Sequence, residues 1–378
     1  MSPGEAGFSE NKKKAMVMLN RANKNILKIK PYIPGKPIEE VKREFGLKSV
    51  IKLASNENPY PPSPKVLKAI NAAAKSVNRY PDGSCFELRR ELARRLKLSP
   101  EQFVFGCGSD EVIVMAIRAF VEPGDEVVIA KPSFLVYSIS SIAAGAVVVE
   151  VPLNGLRYDL VQMKAAVTSR TKIVFIGSPD NPSGLYPTRT EIAQFLSGFP
   201  ADVLVFFDEA YFEYINAKDY PDTLALLKTH KNVIVARTFS KIYGLAGLRI
   251  GYGMAEAGLA GLLDRAREPF NVTSIAQAAA LAALNDGPYY KRIIKEQTSE
   301  RERLCAAFRK MGVEFSKGCT NFIQVRVPRD SRDVVLGLMK QGVIVRDMSV
   351  WGLQNYIRVS IGTPAENNRF LKALKEVL

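Results

Sequence analysis

The sequence predicts an α/β protein: a large domain with a mostly parallel central sheet flanked by helices, plus a smaller C-terminal α/β domain. Between about residues 105 and 255, short runs rich in Val and Ile alternate with stretches of helical periodicity. This alternation is typical of parallel sheets that helices cover on both faces. After an Ala-rich stretch that ends near residue 285, shorter strands and helices follow, which predicts the second unit.

The apolar runs of the large domain each lie beside a segment of helical periodicity, as expected of strand–helix units. The predicted strands are Glu126–Ala130, Ala146–Val151, Lys172–Ile176, Val203–Phe207, Asn232–Ala236 and Leu248–Gly253. Ligands of an open parallel sheet bind at the carboxyl ends of its strands. The residues that directly follow these runs are therefore the candidates for a functional site.

The C-terminal region has a different pattern. The Ala-rich stretch predicts a helix over 273–285, and a long charged helix runs from Tyr289 towards Met311. The remaining predicted elements are strand Asn321–Val327, helix 331–341, strands Val343–Asp347 and Tyr356–Ile361, and a last helix. We therefore divide the chain into an N-terminal arm (1–50) that packs with the small domain, a large domain (51–270) and a small domain (271–378).

Composition argues against several classes of protein. His230 is the single histidine, and the four cysteines form no CxxC pair, so we expect no metal site and no disulfide framework. The sequence contains neither an apolar run of about 18 residues nor a secretory leader, and we expect a cytoplasmic protein that binds no membrane. The net charge of +15 comes mostly from scattered basic residues without accompanying aromatics, which favours a basic surface over nucleic-acid binding.

Polar side chains follow three consecutive predicted strands. Asn181 follows one strand, Asp208 and Tyr211 follow the next, and Ser240 and Lys241 follow the one after. Because the carboxyl ends of parallel strands share one edge of a sheet, we expect these side chains to lie close together. Each of these motifs is common by itself, but their order along the chain is distinctive.

A lysine at such an edge can form an imine with an aldehyde. Pyridoxal 5′-phosphate (PLP) supplies an aldehyde, and its protonated ring nitrogen needs an anionic partner. Asp208 is placed to be that partner, while Asn181 and Tyr211 could hydrogen-bond the ring's phenolate oxygen. The constellation therefore predicts a PLP site with Lys241 as the covalent anchor.

The phosphate of such a cofactor has its own candidate residues. Ser240 and Arg249 can contact a phosphate directly. The segment Gly106–Glu111 opens a predicted helix, whose first N–H groups have no intrahelical partner and are suited to an anion.

The order of these motifs resembles that of the fold-type I PLP-dependent aminotransferases over nearly the whole chain. A narrower similarity, to the histidinol-phosphate aminotransferases, lies in the segments Pro31–Lys36, Leu53–Pro59, Arg79–Asp82 and Tyr356–Gly362. The resemblance implies a transaminase of histidine biosynthesis, which converts histidinol phosphate and 2-oxoglutarate into imidazole acetol phosphate and glutamate.

The resemblance also implies a role for each candidate residue. The implied catalytic residues are Lys241, Asp208 and Tyr211. The implied cofactor contacts are Gly108, Ser109, Asp110, Phe134, Asn181, Asp208, Tyr211, Ser240, Lys241 and Arg249, with Tyr80 from the neighbouring subunit. The implied substrate contacts are Tyr32, Asn58, Arg346 and Arg358. Because the family tyrosine at the position of Tyr80 acts across subunits, a homodimer with shared active sites is implied.

Other functions remain open at this point. An aromatic or broad-range amino-acid aminotransferase, or a threonine-phosphate decarboxylase, shares the same cofactor chemistry and differs only in the substrate pocket. A non-catalytic regulator would use the basic N-terminus on nucleic acid, but 25 residues are too few for a DNA-binding domain. A dinucleotide-dependent dehydrogenase is disfavoured, because no GxGxxG follows the first strand of a βαβ unit.

Overall fold

The protein contains two β-sheets, described here from a computed structural model over residues 21–31 and 35–378. The strands are β1 (Ile51–Leu53), β2 (Phe103–Gly106), β3 (Glu126–Lys131), β4 (Val147–Pro152), β5 (Thr171–Gly177), β6 (Leu204–Asp208), β7 (Val233–Thr238), β8 (Gly251–Met254), β9 (Phe315–Ser316), β10 (Phe322–Arg326), β11 (Val343–Asp347) and β12 (Tyr356–Ser360).

The α-helices of the described residues are α1 (Ile38–Phe45), α2 (Pro64–Ala73), α3 (Phe86–Leu96), α4 (Ser109–Phe120), α5 (Leu135–Ala143), α6 (Leu160–Ala165), α7 (Arg189–Leu196), α8 (Thr223–Thr229), α9 (Ala257–Arg265), α10 (Ser274–Leu284), α11 (Gly287–Lys310), α12 (Ser331–Lys340) and α13 (Pro364–Val377). Short 3-10 turns lie between several of them. Within these residues no helix is both long and apolar enough to cross a bilayer.

The large sheet has seven strands in the order β2-β8-β7-β6-β5-β3-β4. Strands β3 to β7 pair in parallel, and β8 is antiparallel to both of its neighbours. This confirms the predicted mostly parallel sheet. The predicted strand Leu248–Gly253 starts too early, however, because residues 246–248 form a 3-10 turn and Arg249 has a positive φ of 54°.

Strand β6 shows why the central strands read as continuous apolar runs. All five of its residues are buried. Phe207 packs in the apolar cluster on one face of the sheet, and Phe206 in the cluster on the other. Because side chains alternate between faces, a strand covered on both sides must be apolar throughout.

The small sheet has five strands in the order β1-β11-β12-β10-β9. Strand β1 pairs in parallel with β11, and the other pairs are antiparallel. One face of β10 contributes Ile323 and Val325 to a separate apolar core, whereas Phe322 packs against the core of the large sheet. The small sheet therefore presents one face to its own helices and the other towards the large sheet.

Two elements pack with the other domain from the one to which the predicted boundaries at residues 51 and 271 assign them. Ile51 of β1 is the register partner of Val343, so this early strand belongs to the small sheet. Helix α10 contributes Ala276 and Ala279 to the core of the large sheet. The boundaries themselves stay a proposal; β1 gave no signal because a three-residue strand is too short for a periodic pattern.

Glycine is required where β8 meets the start of α4. A Cβ on Gly251 would lie 2.7 Å from the carbonyl carbon of Gly108 and 3.0 Å from the carbonyl oxygen of Arg237. Both neighbours are backbone atoms, which cannot swing away. The close approach of two backbones here fixes the helix start against the sheet.

We expect Gly251→Ala to lower the free energy of unfolding by about 1–3 kcal/mol, as overpacking of a rigid site does. The matched control is Gly261→Ala, an exposed position in α9 where an added Cβ has nothing within 4 Å. That variant should be as stable as the wild type or slightly more so. Urea unfolding of the three proteins measures the difference, and equal midpoints would contradict the packing argument.

Candidate active site

A cavity of about 360 Å³ lies at the carboxyl ends of the parallel strands. The in-register pairs Gly177–Asp208 and Asp208–Ala236 bring the ends of β5, β6 and β7 together there. The lining includes the predicted cofactor residues Gly108, Ser109, Asp110, Phe134, Asn181, Asp208, Tyr211, Ser240, Lys241 and Arg249. The structure thus gathers residues that are up to 141 positions apart, from Gly108 to Arg249.

Asp208 ends β6 and is only 6% exposed. In the described part of the chain its carboxylate accepts two hydrogen bonds from neutral donors, Tyr137 OH at 2.8 Å and Ala210 N at 3.2 Å. Burial raises the pKa of Asp208 to about 6, although the hydrogen bond from Tyr137 and the charge of Lys241 oppose the rise. A buried carboxylate that lines a cavity in this way is suited to a cationic group.

Tyr137 is a site residue that the sequence reasoning missed. Its ring is 2% exposed and stacks on Phe175, with centroids 4.7 Å apart and an interplanar angle of 6°. It also meets the edge of Phe134 at 5.6 Å. The spacing to Phe134 was the available signal, since residues three apart at a helix start share one face.

Lys241 and Tyr211 lie on neighbouring strand ends. The Lys241 Nζ is 5.5 Å from the centre of the Tyr211 ring. The phenol oxygen of Tyr211 accepts a hydrogen bond from Asn56 Nδ2 at 2.9 Å. Asn56 was also missed; it is buried and has φ of 55°, a conformation that asparagine adopts more readily than most residues.

The start of α4 forms a cradle for an anion. Gly108 precedes the helix with φ of +85°, and a Cβ there would lie 2.6 Å from Arg249 Nη2. Arg249 donates to Ala246 O at 3.2 Å and to Asp110 Oδ2 at 3.3 Å. Glycine therefore lets the guanidinium approach the free N–H groups of the helix start, which together attract a phosphate.

Ser240, which follows β7, lines the same cavity as this cradle. Its hydroxyl accepts a hydrogen bond from Thr238 Oγ1 at 3.0 Å, and its backbone N–H donates to the same oxygen at 3.1 Å. These bonds fix the residue directly before Lys241. The hydroxyl of Ser240 is thus held at the cavity wall as a donor for an anion.

The two predicted substrate arginines lie side by side. Arg358 of β12 and Arg346 of β11 are register partners, with 5% and 8% exposure. The Arg358 guanidinium donates to Asn181 Oδ1 and, at 3.2 Å, to Ala54 O. The Trp351 ring lies 5.0 Å from the Arg346 guanidinium and 5.9 Å from that of Arg358. Two arginines in one place suit a phosphate or a carboxylate.

Four predicted contacts within the described residues are absent from the lining of the cavity, namely Asn58, Tyr80, Arg346 and Arg358. Asn58 Nδ2 instead donates to Ile242 O at 2.7 Å, and so holds the backbone beside Lys241. Tyr80 is 83% exposed and stacks on Phe270 with ring centroids 4.8 Å apart. Tyr32 lies outside the described residues.

The residues present fit PLP. Asp208 supplies the buried anion that a protonated pyridine nitrogen needs, and the anion cradle at Gly108 offers donors for a phosphate. Lys241 and Phe134 line the same cavity. These observations leave the fold and the donor set in agreement with an aminotransferase.

A family model described as aminotransferase class I and II matches residues 48–374, from just before β1 into α13. The chain belongs to this aminotransferase family. The match spans both sheets and every described site residue.

Relatives of this aminotransferase match most of its length. A histidinol-phosphate aminotransferase of Moorella thermoacetica is 44% identical over 354 residues, 93% of this chain and 92% of the relative. A histidinol-phosphate aminotransferase 2 of Carboxydothermus hydrogenoformans is 42% identical over 362 residues, 96% of this chain and 99% of the relative. The crystal structure of a histidinol-phosphate aminotransferase of Sinorhizobium meliloti in complex with pyridoxal-5′-phosphate has a TM-score of 0.86 at 32% identity, covering 94% of this chain and 97% of that one.

The raised pKa of Asp208 predicts how the cofactor-free aminotransferase responds to pH. A folded-state pKa of about 6, above the ordinary value of 3.8, means that the folded state binds the proton more tightly than the unfolded state. This contribution to stability is fully present below about pH 4 and is lost as pH rises through 6.

We therefore expect Asp208→Asn, which cannot ionise, to gain stability relative to the wild type as pH rises from 4 to 8. Thermal unfolding of both cofactor-free proteins across this range measures the change. Asp202→Asn, at an exposed position, serves as the control and should show a flat difference. If the difference in unfolding temperature between Asp208→Asn and the wild type did not change with pH either, burial would not raise the pKa of the Asp208 carboxyl.

Proposed function

We propose that this enzyme is a PLP-dependent histidinol-phosphate transaminase. It transfers the amino group of histidinol phosphate to 2-oxoglutarate and yields imidazole acetol phosphate and glutamate, a step of histidine biosynthesis in the cytoplasm. The observation that carries the proposal is the placement of Lys241, buried Asp208 and the anion cradle around one cavity. The similarity to histidinol-phosphate aminotransferases along nearly the whole chain supports the choice of substrate.

Each catalytic residue has a distinct task. Bound PLP supplies an aldehyde for amines and an electron-withdrawing ring that stabilises charge at the reacting carbon. Asp208 keeps the ring nitrogen protonated, with Tyr137 holding the carboxylate in place. Lys241 would anchor bound PLP through its Nζ, and the same Nζ would serve as the base that takes the proton from the substrate Cα. Tyr211 and Asn181 donate to the phenolate oxygen.

Arg358 receives the substrate anion in this proposal. A phosphate monoester and a carboxylate both accept paired hydrogen bonds from one guanidinium, so one site can serve both half-reactions. Arg346, its partner across the strands, adds a second positive charge for the doubly charged phosphate. Tyr32 is proposed as a further phosphate contact. Asn58 helps indirectly, because it fixes the backbone beside Lys241.

The surface around Tyr80 supports a homodimer with shared sites. Three large apolar or aromatic side chains are exposed there, Val77 at 62%, Tyr80 at 83% and Phe270 at 47%. They line a groove of about 770 Å³ that shares Gly247 and Arg249 with the wall of the active-site cavity. A second copy seated on this surface would cover these rings and bring its own Tyr80 towards the cofactor phosphate.

Reduction with borohydride tests the covalent anchor. The purified enzyme with cofactor should absorb visible light, and borohydride should attach a pyridoxyl group to the peptide that contains Lys241. Lys241→Ala should carry no stable label. A label on a different lysine of the wild-type enzyme would contradict the assignment.

The same preparation separates the substrates. Rapid mixing with histidinol phosphate, phenylalanine and glutamate should change the cofactor spectrum readily with the first and the third. If phenylalanine converted the cofactor readily and histidinol phosphate hardly did, the enzyme would still be a PLP aminotransferase, but histidinol phosphate would not be its substrate.

Subunit mixing tests whether Tyr80 acts across the dimer. Lys241→Ala and Tyr80→Ala homodimers should each be impaired. A mixed dimer has one site with Lys241 from one chain and Tyr80 from the other, so mixing after reversible dissociation should restore activity towards one wild-type site per dimer. Light scattering would test whether each protein is a dimer, and differently tagged chains would reveal whether mixed dimers have formed. No recovery despite mixed dimers would place Tyr80 and Lys241 in the same subunit's site.

A further inference from the structure

The segment 54–58, which leads from β1 past the cavity, is anchored at every second residue. The anchors are the hydrogen bonds of Ala54 O with Arg358 Nη2, of Asn56 Nδ2 with Tyr211 OH and of Asn58 Nδ2 with Ile242 O. The two residues between the anchors, Ser55 and Glu57, line the cavity. The segment is thus a fixed strap that presents a hydroxyl and a carboxylate to the substrate space.

Glu57 is the cavity carboxylate that the proposed chemistry leaves unused. Asp208 is buried and is assigned to the ring nitrogen, and Asp110 accepts a hydrogen bond from Arg249 at 3.3 Å. Glu57 keeps 51% of its side chain exposed, and its carboxylate forms an ion pair with Lys52 Nζ at 3.7 Å, a separation too long for a hydrogen bond. The Glu57 carboxylate therefore retains most of its capacity to accept hydrogen bonds.

The substrate of the proposed function has a matching group. Histidinol phosphate carries an imidazole ring in addition to its amine and its phosphate ester. A neutral imidazole has one N–H donor, and the protonated ring has two donors and a positive charge. With the amine at Lys241 and the phosphate at Arg358, the ring is the remaining end of the molecule to be recognised.

We propose that Glu57 accepts a hydrogen bond from the imidazole ring and is the residue that distinguishes histidinol phosphate from amino acids with neutral rings. This inference rests on the proposed function. It assigns Glu57 to substrate binding and gives it no part in moving the Cα proton. The anchors at Asn56 and Asn58 hold the strap in place, so that the carboxylate need not be ordered by the substrate.

The second half-reaction brings a negatively charged group close to Glu57, where the first brings the imidazole ring. Glutamate and 2-oxoglutarate carry a second carboxylate where histidinol phosphate carries its ring. The negative charge of Glu57 disfavours that carboxylate by Coulomb repulsion, which water at this exposed site and the positive charge of Lys52 weaken. Removal of the charge should therefore affect the two substrates in opposite directions, whereas structural damage would impair both.

The test compares Glu57→Gln and Glu57→Ala with the wild type in each half-reaction, with the substrate varied to separate rate from binding. For histidinol phosphate we expect kcat/KM to fall about tenfold in Glu57→Ala and less in Glu57→Gln, through KM rather than kcat. For glutamate KM should fall about two- to threefold in both variants. For phenylalanine, whose ring has no polar donor, kcat/KM should change less than twofold in either variant.

Glu39→Gln is the matched control. Glu39 lines the neighbouring groove, which Glu57 also borders, but is absent from the lining of the cavity, and it pairs with Lys42 at 2.8 Å. Its constants should equal those of the wild type. Titration calorimetry of histidinol phosphate with Lys241→Ala, alone and combined with Glu57→Gln, measures binding without turnover and should show the same loss.

The outcomes separate the two claims. Equal losses for histidinol phosphate and glutamate, or no loss for either, would overturn the role of Glu57 while the transaminase stands. A wild-type enzyme that does not convert histidinol phosphate would overturn the proposed substrate and, with it, the inference about Glu57.

Discussion

The buried charge of Asp208 is the constraint on which the active site depends. Removing a carboxylate from water costs several kcal/mol unless other groups compensate. The chain supplies Tyr137 and the backbone N–H of Ala210 as neutral donors, and it leaves the remaining compensation to a cationic ligand. The stacked pair of Tyr137 and Phe175 fixes the phenol, so the carboxylate is held rigidly before any ligand arrives.

The rest of the site is built around this charge from both sheets. The large sheet provides the strand ends that carry Asp208 and Lys241, while the small sheet provides Arg358. Asn56 links the two, because it bonds to Tyr211 on one side and its backbone N–H bonds to Ser360 Oγ at 2.8 Å on the other. The strand ends of the large sheet that line the cavity and the small sheet that carries Arg358 are thus connected through one buried asparagine.

The sequence was sufficient to predict the strand ends and the residues that follow them. Strands of a parallel sheet are long apolar runs, and their carboxyl edge is a known location for ligands, so Asn181, Asp208 and Lys241 could be predicted together. The contacts of Tyr137 and Asn56 could not. Each depends on the path of a loop or a helix start across space, and no periodicity encodes that path. Asn58 was placed in the right segment, but its side chain supports the backbone instead of facing the cavity.

Strand β1 has a consequence for how the protein is made. It is synthesised early, yet its pairing partner β11 lies near the other end of the chain, with Ile51 opposite Val343. During synthesis β1 cannot pair until most of the chain that follows it, including β11, has been made. Contacts between residues this far apart in sequence also form slowly. The small sheet is therefore the last part of the molecule to be completed. A ribosome-bound chain lacking only its final hundred residues would contain Asp208, Lys241 and Arg249 but neither Arg346 nor Arg358.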